Sequence, residues 1–292
     1  MGRKEQQELQ SKLLDTTTAG LVLALLYYKP ELFNPWQLTA WQWLAGLVGI
    51  RAALTFYDHL VIFVIDNIFH SKLLPTRTTG TPVRYVGLDT KSIIFLTINN
   101  LHEWLFVQRL CHFIWYSPKV AKDWHEIDLW NTVGALYLMF IVLDSLYAPC
   151  HHILHMPFLY PLIHKHHHRQ HFPTRGYLDA GNEHPIEHLI GVLAVWGAVL
   201  AAVHGPTGAH GVTLFFFFNI HASLAILNHS PYQVQFSILP GKKMTYSVGY
   251  HEMHHRKFTV NYAQYLMWYD RLMKTFAPYE NPSQKLQQAK AQ

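Results

Sequence analysis

The sequence predicts an all-α integral membrane protein of four to six membrane helices, with a histidine-rich helical region lying outside the bilayer. Half of the 292 residues are hydrophobic and only 14% are charged, against roughly 25% in soluble proteins. Long apolar segments recur along the chain. The 17 Phe, 16 Tyr and 9 Trp are the aromatic load expected where rings sit at a membrane–water interface. A formal charge of +5 suits either nucleic acid or an anionic membrane surface, and the hydrophobicity decides for the membrane.

The apolar segments cover residues 21–28, 36–57 with Arg51 inside, 60–69 with Asp66 and Asn67, 92–116 with Glu103 and Arg109, 131–143, 189–203 and 212–227. Crossing hydrocarbon takes about 20 predominantly apolar residues. Several segments qualify once a Trp, Tyr or His is admitted at the ends, and the remainder fit re-entrant or interfacial positions. The N-terminus does not read as a cleaved signal, because its apolar stretch starts near residue 20 and a polar Pro-containing stretch follows. Residues 76–90, rich in Thr, Gly and Pro, read as a loop, and 278–292 as a polar tail. Cys111 and Cys150 cannot build a disulfide framework. A single domain results: membrane helices and loops over 1–130, the chemically interesting region over 131–277, then the tail.

That region is marked by histidine. Of the 22 in the chain, three dense groups lie beyond residue 150: His151-His152-Ile153-Leu154-His155, His164-Lys165-His166-His167-His168 and His251-Glu252-Met253-His254-His255. Residues three and four apart are neighbours on a helix. Helical geometry therefore puts His151 with His155, His164 with His167 and His168, and His251 with His254 and His255. His152 and His166 turn away and are excluded as ligands. Eight imidazoles are too many for one metal ion and suit two. Neutral imidazole binds iron, zinc, copper and nickel. A single His-x-x-x-His pair is more often interfacial polarity than a site; three such groups in one chain are not.

The ordered pattern resembles the fatty acid hydroxylase/sterol desaturase superfamily of membrane oxygenases. The match runs from Asp144 to about Phe276. It takes in Asp144-x-x-Tyr147-x-x-x-His151-x-x-x-His155, Tyr160-x-x-x-His164-Lys165-x-His167-His168 followed by Pro173, Glu183-His184-Pro185-Ile186-Glu187, Asn228-His229-Ser230, Tyr250-His251-Glu252-x-His254-His255, Asn261-Tyr262 and Asp270. The resemblance implies about four membrane helices under a cytosolic cap that carries the histidine boxes. It also adds His184 and His229 to the ligands, giving ten. His188 and His221 stay unassigned. Departures from the family pattern include His152 where Arg is frequent, Glu252 where Asp is common, and no Phe-Gly before Thr275; none removes a ligand.

An unactivated lipid C–H bond resists acid–base attack, so a redox metal must activate O2. The implied cofactors are two Fe ions, with Zn able to displace them on overexpression, and O2. Acidic groups are expected behind the ligands, orienting ring N–H groups: Asp144, Glu187 and Asp270 foremost, with Glu183 and Glu252. The chain shows no nucleotide fingerprint and no haem-attachment pair, so electrons are expected from a separate donor such as cytochrome b5. The partners are then a lipid substrate, the membrane and that donor, with no nucleic acid, and the location is the endoplasmic reticulum. The Glu183–Glu187 stretch is similar to that of sterol C-4 methyl oxidases and sphingoid-base hydroxylases, favouring hydroxylation of a sterol or long-chain acyl lipid; desaturation by the same centre, metal transport and a catalytically silent metal-binding protein are the alternatives.

Overall fold

The computed structural model describes residues 3–74, 88–169, 180–237 and 245–281. Helix α1 (Arg3–Tyr28) and the short α2 (Pro30–Phe33) lead into α3 (Ala40–Phe63), which continues through a π-helical turn, Val64–Ile68. Then come α4 (Thr90–Tyr116), β1 (Val120–Ala121), α5 (Ala135–Leu154), α6 (Pro185–His204), β2 (Ala209–His210) and α7 (Gly211–Asn228). The chain closes with β3 (Gln235–Ser237), β4 (Thr245–Ser247), α8 (Val248–Lys257) and α9 (Trp268–Met273). Pro173 lies outside the described residues, as do 76–87 of the expected loop and 282–292 of the expected tail.

Among the described residues, four helical segments are long and apolar enough to cross a membrane: Ala40–Ile68, Trp130–Leu154, Pro185–His204 and Gly211–Asn228. The fold is thus an all-α membrane bundle at the lower end of the expected range. Helix α4 has the length, and its Asn99, Asn100, His102, Glu103, Gln108 and Arg109 keep it out of that set. Those polar groups have work inside the protein. Asn99 Nδ2 donates to the carbonyls of Gly181 and Glu183, each at 2.9 Å, and Arg51 donates to Asn100 at 3.0 Å.

The most extensively packed pair is α5 with α6. Helix α6 presents Ala194, Ala198 and Ala202, all buried, at four-residue spacing. Small residues in a stripe let two membrane helices approach closely, where lipid supplies no hydrophobic drive for their association. Met139 and Leu143 of α5 fill the seam, and Phe140 meets Phe217 of α7 edge to face at 5.2 Å. Helix α3 has no buried residue. It is tied on by Tyr57, whose hydroxyl donates to the Asn219 carbonyl at 2.9 Å, and by Gly46, over which the Trp104 ring lies so closely that a Cβ would fall 2.3 Å from it.

Connectivity gives the bundle two unlike ends. Helices α4 and α6 finish, and α5 and α7 begin, at one end, where β1 pairs in parallel with β2. Trp115, Tyr116, Trp124 and Trp130 are exposed in the segments there. At the other end α5 and α7 finish, α6 begins, and the segment from β3 to α9 packs back, α8 on α7 and α9 on α5. Every histidine box is at that second end.

Candidate metal centre

Each box reaches the centre by a different piece of backbone. His151 is in the last turn of α5, and His155 caps it. His164, His167 and His168 occupy a 3-10 helix, His164–Arg169, and His251, His254 and His255 lie on α8. His229 caps the C-terminus of α7. Their nitrogens gather in two groups. His151, His155, His164, His168 and His254 form the first, and His167, His229, His251 and His255 the second, all atoms of a group lying within 4.8 Å of one another.

The division within the second and third boxes departs from the single-face expectation, while His151 and His155 stay together. On α8, His251 and His255 are a full turn apart and serve the second group, while His254, three residues along, diverges to the first. On the 3-10 turn the repeat is three residues rather than 3.6. His164 and His167 stack with parallel rings 5.4 Å apart, and His168 rotates into the first group. Adjacent histidines, His167 with His168 and His254 with His255, therefore straddle the two groups.

The ring tautomers follow from their partners. His151 Nδ1 donates to the Tyr262 carbonyl and His254 Nδ1 to the Val260 carbonyl, both at 2.8 Å. A carbonyl only accepts, so these rings carry their proton on Nδ1 and turn a bare Nε2 inward. His164 Nδ1 donates to Glu187 Oε1 at 2.8 Å, with the same result. The inward nitrogens then face each other. His151 Nε2 is 3.0 Å from His164 Nε2, and His254 Nε2 is 3.2 and 3.1 Å from those of His155 and His168. In the second group His251 Nε2 is 3.3 Å from His229 Nε2 and 3.0 Å from His255 Nε2.

Where both rings carry their proton on Nδ1, as His151 and His164 do, the facing lone pairs repel unless a cation lies among them. Two nitrogens about 2.1 Å from a shared metal stand about 3.0 Å apart at a right angle and about 3.4 Å apart in a tetrahedron. The observed separations span that interval, so the residues present fit one transition-metal ion per group. Burial keeps the rings neutral and ready to ligate. It holds His167, with the neighbouring His229 adding to the effect, down to about 3. Burial and the surrounding imidazoles likewise push His251, His254 and His255 well below the usual histidine range.

His184 lies in neither group. It caps α6, its Nδ1 accepting from the Ile186 N–H at 3.1 Å, and its ring meets Phe95 edge to face at 4.9 Å. The excluded rings stay outside as well. His152 bonds the Tyr269 hydroxyl at 3.0 Å, and His166 bonds Asn182 Oδ1 at 3.0 Å. His221 pairs with the Tyr265 hydroxyl at 2.8 Å.

Of the acidic residues expected to orient rings, Glu187 touches one directly. Asp144 and Asp270 do not, and here the expectation is corrected. Asp270 accepts the N–H groups of Tyr262 and Ala263, both at 2.7 Å. Asp144 accepts those of Tyr265 and Leu266. Both secure residues 260–266, a strap whose carbonyls in turn hold His151 and His254. Asn261, with φ at 56°, locks the strap by bonding the carbonyls of Tyr250 and Ala277 and the N–H of Ala277. The Val260 and Tyr262 carbonyls were invisible to sequence reasoning, since a backbone oxygen leaves no residue signature; the neighbouring Asn261-Tyr262 pair was the available hint.

With this geometry the relatives become informative. The Fatty acid hydroxylase family profile matches residues 136–275, the span that holds every ligand of both groups. With the relatives that follow, this match makes the chain similar to the fatty acid hydroxylase/sterol desaturase superfamily. The chain is an oxidoreductase. Among curated proteins it is similar to methylsterol monooxygenase erg25B of Aspergillus fumigatus, 26% identical over 249 residues, covering 81% of this chain and 82% of that one. C-4 methylsterol oxidase erg25 of Schizosaccharomyces pombe is 25% identical over 249 residues, 82% of this chain and 81% of that one. The very-long-chain aldehyde decarbonylase GL1-7 of japonica rice is 24% identical over 189 residues, 60% of this chain and 28% of that one. No solved structure matches the chain at a significant level.

Proposed function

We propose that this chain hydroxylates a membrane lipid with O2 at a histidine-ligated di-iron centre, drawing electrons from a separate donor such as cytochrome b5. The observation that carries this reading is the pair of imidazole groups whose nitrogens face one another about 3 Å apart, at one end of a bundle of apolar helices. Two adjacent redox metals share the electrons needed to cleave O2 and to attack a C–H bond that no side chain could deprotonate.

The chain's own residues do the rest. His151, His155, His164, His168 and His254 hold one ion, and His167, His229, His251 and His255 the other. Glu187 and the strap carbonyls fix ring tautomers before any ion arrives, so little reorganisation is needed on binding. His164 and His254 are fully buried, which keeps bulk water from the reactive atoms. The same end of the bundle carries Arg169 and Lys257, which pair with Asp89 and Glu280. We place that end at the cytosolic face of the endoplasmic reticulum.

Sterol is favoured over acyl substrate because the two relatives that share about four-fifths of their length with this chain are named for methylsterol oxidation. Comparative lipid profiling of cells with and without the gene tests the proposal. A methylated sterol precursor should accumulate in its absence and disappear when the wild-type chain, and not a His167→Ala variant, is restored. An unchanged lipid profile would contradict it.

A further inference from the structure

Beside the two groups, where α6 begins, lies a cluster of polar side chains that reaches past the ligand set. Glu183 Oε1 accepts the Nδ1–H of His188 at 3.0 Å, and Glu183 Oε2 is 3.8 Å from His167 Nδ1. Glu187 Oε1 accepts from His164 Nδ1 at 2.8 Å. One oxygen of each carboxyl and one nitrogen of His167 lie within 4.8 Å of each other. His102 of α4 stacks on His188 with ring centroids 5.7 Å apart and planes 20° apart. The Asn99 side chain pins the Glu183 backbone from the same helix. The assembly is buried: Glu187 is 2% and His188 9% exposed. Among the described residues, His167 Nδ1 and Glu187 Oε2 have no hydrogen-bond partner.

We infer that Glu183 and Glu187 act as one positioning unit joining the two metal groups, Glu187 bonding His164 of the first and Glu183, braced by His188, setting its charge 3.8 Å from Nδ1 of His167 of the second. The inference rests on reading the groups as metal sites. A carboxylate beside Nδ1 favours the tautomer with its proton there, which leaves Nε2 bare for an ion. Two neighbouring carboxyls, one turn apart across the start of α6, apply that constraint to rings that are three residues apart and serve different ions. Neither residue touches the reacting atoms. Both act through the rings they orient, and His188 acts through Glu183.

The test is Co2+ titration of the detergent-solubilised full chain, read by visible absorption and by metal analysis. His151→Ala and His251→Ala backgrounds isolate the second and first groups respectively. Glu183→Gln should weaken Co2+ by about 10–100-fold in the His151→Ala background and leave the His251→Ala background unchanged. Glu187→Gln should do the reverse. His188→Phe, which keeps an aromatic ring against His102 and removes the donor, should copy Glu183→Gln, and Glu183→Asp should restore most of the affinity. Equal weakening in both backgrounds, or none in either, overturns the inference while leaving the metal centre standing. A wild-type chain that binds no Co2+ overturns both.

Discussion

A bare Nε2 is the smallest unit of this site, and its consequences are local. His254 turns that nitrogen toward both His155 and His168, so it is a shared corner of the first group. His254→Ala should remove one ion of two and lower lipid oxidation by more than the 10–100-fold typical of losing an outer partner, with membrane insertion intact; metal analysis of the purified variant checks it. His166 bonds Asn182 instead of facing a group. His166→Ala should therefore keep both ions and cost about 1 kcal/mol of stability, measured as a small drop in unfolding midpoint. Acid should act on the ligands directly. An unfolded histidine takes up a proton near 6.5, whereas His167 in the fold does so only near 3. Between those values the unfolded chain binds more protons, so stability is complete above about 6.5 and falls as the pH drops toward 3. Metal content measured against pH should stay constant at neutral and alkaline pH and decline below about 6.5. At this scale the sequence was most legible. Box spacings named eight of the nine rings gathered in the two groups; His229 came through resemblance, as did His184, which lies outside both. Glu187, Asp144 and Asp270 were read alike as carboxylates behind the ligands, and only the structure separates the first from the other two, because a carboxylate near a ligand looks the same whether it meets a ring or a backbone N–H.

Among the elements, the strap over residues 260–266 is what converts remote carboxylates into ring orientation. Asp270→Ala frees two buried N–H groups and the Tyr262 carbonyl they position. It should destabilise the chain by about 2–3 kcal/mol and lower occupancy of the first group, which relies on Tyr262 and Val260, before that of the second. Metal analysis of single-group variants separates the two. The 3-10 turn at His164–Arg169 could not be read from spacing. Its four clustered histidines and lysine fit an α-helical face equally well, and only the surrounding packing chooses the tighter winding. Helix α4 shows why the sequence yields a range of helices rather than a number: it has the length of a span, while Asn99 and Arg109 are polar because they bond the protein's own carbonyls.

For the whole molecule, apolar patterning gave the membrane class and the range of helices, and the packing of α5 on α6 supplies the rigid base from which the histidine end projects. Helix α3, with no buried residue, is held by few contacts. Gly46→Ala must displace the Trp104 ring, an overpacking cost of about 1–3 kcal/mol, and should loosen α3 while metal content is unchanged. The sequence could not show which end of the bundle the boxes occupy. That follows only once chain direction, the β1–β2 pairing and the strap are seen together. The central claim, two ions held by imidazoles from separate elements, is tested most directly by counting metal per chain in gently purified protein. Two ions for the wild type, and one each for His151→Ala and His251→Ala, are the expected values. A wild-type chain that retains none, or a single ion unaffected by either substitution, would contradict it.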